Sequence, residues 1–126
     1  MINLDKYLSV TWQMGGRAYP VLDCYGLVHE VRRDLGLPEW PLFEGVIKEN
    51  DRMHKAFLAM RQNTTRCSPK EGAVAACYTG GLMGHLGIVI NTDGGLQVIE
   101  IGSRTGVTVL SLNRFERRHQ KVEYYW

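Results

Sequence analysis

Asp23-Cys24-Tyr25-Gly26-Leu27-Val28-His29-Glu30-Val31 is the stretch from which the rest of the chain is best read. Asp23 is a good helix N-cap, because a short carboxylate accepts from the amides that open a helix. After it Leu27, Val28, Val31 and Leu35 recur at helical spacing, and Gly36 and Pro38 end the run. Cys24 therefore stands where a turn becomes a helix. Amides at that end lack intrahelical partners and carry partial positive charge. That charge stabilises a thiolate, the nucleophilic form of cysteine.

Working outward, Gly15-Gly16-Arg17 and Pro20 read as loop, and Leu37-Pro38-Glu39-Trp40-Pro41 as a connection. A second helix is expected from about Val46 to Gln62. Val46, Met53, Phe57 and Met60 form its apolar stripe, with Lys48, Glu49, Arg52 and Lys55 opposite. The period then changes. Strands are expected over Ala73–Tyr78, Leu86–Ile90, Leu96–Ile101, Val107–Leu110 and Val122–Trp126, with Asp93-Gly94-Gly95 as a hairpin turn. Helices first and antiparallel strands after imply an α+β domain, a helical layer on a meander-like sheet. In a doubly wound fold, strands and helices would alternate. A chain of 126 residues is expected to form one domain, 1–126.

Composition narrows the function classes. With 44% hydrophobic and 22% charged residues the chain has the make-up of a globular domain, not a disordered one. A net charge of +2 is too small to imply nucleic acid. The run Arg114, Arg117, Arg118, His119, Lys121 is interrupted by Glu116 and Glu123 and reads as a solvated face. Cys24, Cys67 and Cys77 show no C-x-x-C spacing, so neither a zinc site nor a disulfide framework is expected. Cys77 is expected to be buried in a strand and Cys67 to lie in a loop. No membrane span and no signal peptide are expected, which places synthesis in a reducing cytoplasm.

A cysteine nucleophile needs a base, most often an imidazole. His29 lies five residues into the helix of Cys24 and points away from it. His54 reads as solvent-facing, and His119 belongs to the basic run. His85 follows Gly81-Leu82-Met83-Gly84 and opens an apolar strand, where it can reach over the sheet edge. Cys24 and His85 are thus the candidate pair.

Four segments together resemble the NlpC/P60 family of cysteine peptidases. They are Trp12-Gln13-Met14-Gly15-Gly16-Arg17, Asp23-Cys24-Tyr25-Gly26-Leu27-Val28, Glu71-Gly72-Ala73-Val74-Ala75-Ala76 and Gly84-His85-Leu86-Gly87-Ile88-Val89. Tyr25, the Gly-Gly-Arg and the C-terminal Arg-Phe-Glu and Glu-Tyr-Tyr are most similar to the branch found in bacteriophage tail assembly proteins. The resemblance implies a papain-like α+β fold and cleavage of amide bonds in peptidoglycan stem peptides, commonly D-γ-glutamyl-diaminopimelate. It implies Cys24 as nucleophile, His85 as base and no metal or organic cofactor. The family's third polar residue, which orients the histidine, falls on Glu100; the alternative is an exposed charge on an edge strand, and Asn91 and Gln97 are weaker candidates. Trp12 and Tyr25 either line the substrate groove or pack in the core. Ala73 stands where the family often has Asp. The implied setting is a virion tail acting on the host wall, with other tail-tip proteins as partners. Two other functions stay open: a structural tail component without chemistry, and an acyltransferase on the same fold.

Overall fold

The computed structural model describes residues 2–43 and 52–126, with side chains from residue 54 in the second stretch. Helix α1 (Leu4–Leu8) leads into three two-residue strands, β1 (Thr11–Trp12), β2 (Arg17–Ala18) and β3 (Val21–Leu22). These form a small sheet of order β1-β3-β2. Helices α2 (Cys24–Asp34) and α3 (Arg52–Arg61) follow, then β4 (Arg66–Cys67), β5 (Val74–Thr79), β6 (Leu82–Thr92), β7 (Gly95–Gly102), β8 (Gly106–Ser111), α4 (Leu112–Arg117) and β9 (Lys121–Tyr125). The main sheet is antiparallel, of order β4-β9-β5-β6-β7-β8.

The class is α+β, as the order of periods implies. Strands β5 to β8 form a meander, and β9 returns to lie beside β5. Alternation along the strands sorts the core into two layers. Val74, Ala76, Tyr78, Met83, Leu86, Ile88, Ile90, Ile99 and Ile101 pack with Leu27, Val28 and Val31 of α2 and Phe57 and Met60 of α3. Ala75, Cys77, Val89, Val98 and Tyr124 pack around Phe115 of α4.

Several expectations change in detail. The loop before Asp23 contains the small sheet, and the expected solvated run begins in α4, whose Phe115 is fully buried. Strands of two residues carry no period, and α4 is a six-residue helix held by Phe115 and Leu112, too short for a periodic stripe, so neither leaves a pattern to read. The described part of the second helix is Arg52–Arg61; its expected start at Val46, with Lys48 and Glu49, lies outside the described residues. Cys67 is in β4, opposite Tyr124, not in a loop. His85 is the fourth residue of β6 and does not open it, because the hairpin turn at Gly80-Gly81 starts the strand earlier, at Leu82.

Candidate active site

Cys24 is the first residue of α2, and Asp23 caps it as the sequence implies. The cap does more than close the helix. Asp23 Oδ1 accepts from the Gly26 N–H at 2.8 Å, and Oδ2 accepts from the Gly15 N–H at 3.1 Å. Arg17 Nη1 pairs with Asp23 Oδ1 in a site where both side chains are 7% exposed. Arg17 also donates through Nε to the Leu42 carbonyl at 2.7 Å and lies 5.1 Å from the centre of the Tyr25 ring.

The glycines of this region are fixed by contact. A Cβ on Gly26 would come within 2.2 Å of the Gly16 carbonyl oxygen, and one on Gly16 within 2.7 Å of the Val21 oxygen. The Gly16 carbonyl also accepts from the Asp23 N–H at 3.1 Å. Gly-Gly-Arg and Asp-Cys-Tyr-Gly are therefore two halves of one backbone junction, closed by a buried ion pair, that fixes the start of α2.

His85 follows a bulge. Cys77 is opposite His85 while Tyr78 is opposite Met83, so Gly84 has no partner in β5. Such an extra residue locally re-aims the side chains beside it. His85 Nε2 lies 2.8 Å from Glu100 Oε1. The imidazole also hydrogen-bonds to the Cys24 side chain. With Nε2 held by Glu100, Nδ1 is the ring nitrogen left for the sulfur.

Glu100 is on β7, an inner strand between β6 and β8, and is only 7% exposed. It is not an exposed charge on an edge strand. Its second oxygen lies 3.5 Å from Arg118 Nη1. Past Arg118, the His119 ring stacks on His85 at 5.8 Å and 21°, with Phe115 tilted against it at 4.9 Å. Sulfur, imidazole, carboxylate and guanidinium thus stand in a row, with a second imidazole along its side.

The electrostatics follow from that order. Burial disfavours a charged His85, but its hydrogen bonds to Cys24 and Glu100 and their charges outweigh burial and push it up to about 9. Burial likewise opposes the Glu100 charge. The hydrogen bond and charge of His85, with Arg118 and His119, hold its carboxyl below the usual range nonetheless. His119 is driven the other way, by burial and by the His85 charge, both of which disfavour its charged form. Cys77 is buried behind the site and its thiol is pushed far up by that burial, so it is inert beside Cys24.

The remaining sequence candidates fall elsewhere. Tyr25 is 5% exposed; its hydroxyl donates to the Pro41 carbonyl, and its ring leans on Phe43 at 5.7 Å. Buried as it is, the ring also lines a small apolar cavity with Trp40, Phe43 and Met83. Trp12 is half-buried at the margin of the main core, in register with Leu22. The Asn91 N–H donates to Glu71, and Gln97 is bonded to Thr92. His29 is buried within α2. His54 is not solvent-facing: it is half-buried, and its Nδ1 accepts from the Met83 N–H at 2.9 Å.

Arg17, Arg118 and His119 were not candidates from the sequence. Arg17 meets nearby Asp23 but also the Leu42 carbonyl 25 residues away, and Arg118 meets Glu100 at a separation of 18. No local spacing marks such pairs. The Gly-Gly-Arg run was the one visible sign, and it says nothing of what the arginine meets. Compared with known proteins, the chain matches no family model and no curated sequence. Among the described residues, no helix is long and apolar enough to cross a membrane.

Proposed function

We propose that this chain is a papain-like cysteine peptidase or amidase of the NlpC/P60 type. Its substrates would be amide bonds of peptidoglycan stem peptides, of the D-γ-glutamyl-diaminopimelate kind, and its setting a phage tail or tail-like particle. The observation that carries the chemistry is the single row Cys24, His85, Glu100, with 2.8 Å between the last two. The substrate and setting rest on the sequence resemblance alone.

In this reaction the Cys24 sulfur attacks the amide carbonyl as thiolate, its proton being held by His85. The first-turn amide of Cys24 faces the developing oxyanion, as helix-start donors do. His85 then gives the proton to the leaving amine as the C–N bond breaks. Water, deprotonated by His85, hydrolyses the thioester and releases the acid. Glu100 keeps Nε2 occupied and the ring in one orientation, the part a carboxylate plays in a triad. Arg118 steadies Glu100 from behind.

Digestion of purified cell wall or a γ-D-glutamyl-diaminopimelate peptide by wild type and Cys24→Ala tests the proposal. Cleavage by wild type alone supports it. Equal cleavage by both, or none by either, overturns it. Wild-type product carrying an added amine or alcohol, not water, would move the activity to acyl transfer. One observation favours the non-catalytic rival: Cys24 is only 3% exposed, so substrate must reach the sulfur past the edge of His85, whose side chain is 18% exposed.

A further inference from the structure

Helix α4 presents Arg114, Arg117 and Arg118 at i, i+3 and i+4, which puts all three on one face. Phe115 points the other way, into the core, and fixes that orientation. The three arginines and Leu110 of β8 line a cleft of about 390 Å³. No carboxylate lies in this lining. Glu116, the acid within the helix, is turned aside to accept from the Tyr124 hydroxyl at 2.7 Å. Among the described residues Arg114 and Arg117 have no ion-pair partner, while Arg118 reaches Glu100 at 3.5 Å. Three cations converging on a concave surface repel one another until an anion is placed between them. Planar guanidinium forks match carboxylates in two-point contacts.

We propose that this cleft binds the carboxylates of an acidic peptide, beside the row of Cys24, His85 and Glu100. The choice of a peptide rests on the proposed hydrolytic reading; the anion site itself rests on the arginines. Arg118 is the shared wall, since it faces the cleft and steadies Glu100. A peptide held there lies alongside the reacting groups and brings its negative charge to Arg114 and Arg117, which have no ion-pair partner among the described residues. The solvated face expected from the sequence becomes a binding surface, because the helix gathers onto one side what the linear run scatters among acids.

The test measures binding apart from cleavage. Full-length Cys24→Ala is titrated calorimetrically with a peptide rich in glutamate and with the same peptide amidated at every side chain. The double variant R114Q/R117Q, in the same background, is titrated in parallel, with thermal melting to verify folding and R114K/R117K to retain charge. The acidic peptide is expected to bind about 10-fold or more tighter than the amidated one, an advantage lost in the Gln pair and partly kept in the Lys pair. Equal affinity for both peptides, or an advantage unchanged in R114Q/R117Q, overturns the proposal. A duplex DNA oligonucleotide bound more tightly than the peptide, with affinity falling steeply with salt, also overturns it, in favour of nucleic acid. Hydrolysis by wild type is assayed separately. Binding with that charge preference but no cleavage leaves this cleft standing and removes the enzymatic reading, and cleavage without charge preference does the reverse.

Discussion

The two ends of α2 use buried polar side chains in opposite ways. At the C-terminal end Arg32, 2% exposed, donates to the Gly72 carbonyl at 2.8 Å and the Pro38 carbonyl at 3.2 Å. Its guanidinium lies 5.1 Å from the Trp40 ring centre and 5.5 Å from that of Trp126. Those bonds run to backbone and those contacts to rings, so they tie the helix to the start of β5 and the end of the chain. At the N-terminal end the junction of Arg17, Asp23, Gly16 and Gly26 is equally well tied. What it positions is a thiol that meets a histidine whose proton affinity is raised. Polar groups whose partners are backbone carbonyls hold the fold. Polar groups whose partners titrate are the ones that can do chemistry.

This contrast can be broken in order of effect. Cys24→Ala should lower peptide cleavage by on the order of 10⁴-fold or more, as loss of a nucleophile does, while its melting temperature stays near that of wild type. A comparable loss of stability would mean that the thiol is a packing group like those at the other end.

Glu100→Gln should come next, with cleavage falling about 10²–10³-fold, the scale of general acid–base catalysis. The pH profile carries the sign. His85 is held up to about 9, so the proton it gives to the leaving amine is present below that and is lost as pH rises through it. Removing the Glu100 charge takes away one of the groups that raise His85, so the alkaline limb should move to lower pH. An unmoved limb would remove Glu100 from the row. The same linkage gives a stability term. Its contribution from His85 is full below ~6.5, the unfolded value, and fades as pH rises through about 9.

At the opposite end Arg32→Ala should cost about 2–4 kcal/mol, because the buried Gly72 carbonyl and the partly buried Pro38 carbonyl lose their donor. Cleavage per folded molecule should be nearly unchanged. Denaturant unfolding paired with single-turnover rates separates the two readouts, and a rate loss without a stability loss would erase the contrast between the ends.

Gly26→Ala should cost about 1–3 kcal/mol, somewhat less than Arg32→Ala, since its methyl must displace the Gly16 carbonyl oxygen from 2.2 Å. Because that carbonyl anchors Asp23, the cleavage rate should fall as well. A stable, fully active Gly26→Ala protein would show that the junction does not set the position of Cys24.

What the sequence discloses follows the same division. Asp23, Cys24 and the Leu27-Val28-Val31 spacing are local signals, and α2 begins at Cys24 as they imply. Strands β5 to β8 stand out as apolar runs bounded by turn signals, so their succession along the chain was legible. His85 could be picked as the partner of Cys24 by elimination among four histidines, although the bulge at Gly84 that aims it leaves no mark beyond a glycine. Glu100 came from the resemblance alone, because nothing in Ile99-Glu100-Ile101 says that an inner strand would bury the carboxylate. Arg17, Arg118 and His119 stayed hidden for a related reason. Each acquires its role only when folding brings its partner against it, and a basic residue reads the same in a solvated run as beside a buried acid.

The most direct test of the central claim, that Cys24, His85 and Glu100 act as one coupled unit, is the titration of the His85 ring followed by site-resolved NMR. Wild type should titrate at about 9, and both Cys24→Ala and Glu100→Gln should bring His85 down toward ~6.5. A wild-type His85 that already titrates near ~6.5, unchanged by either substitution, would contradict it.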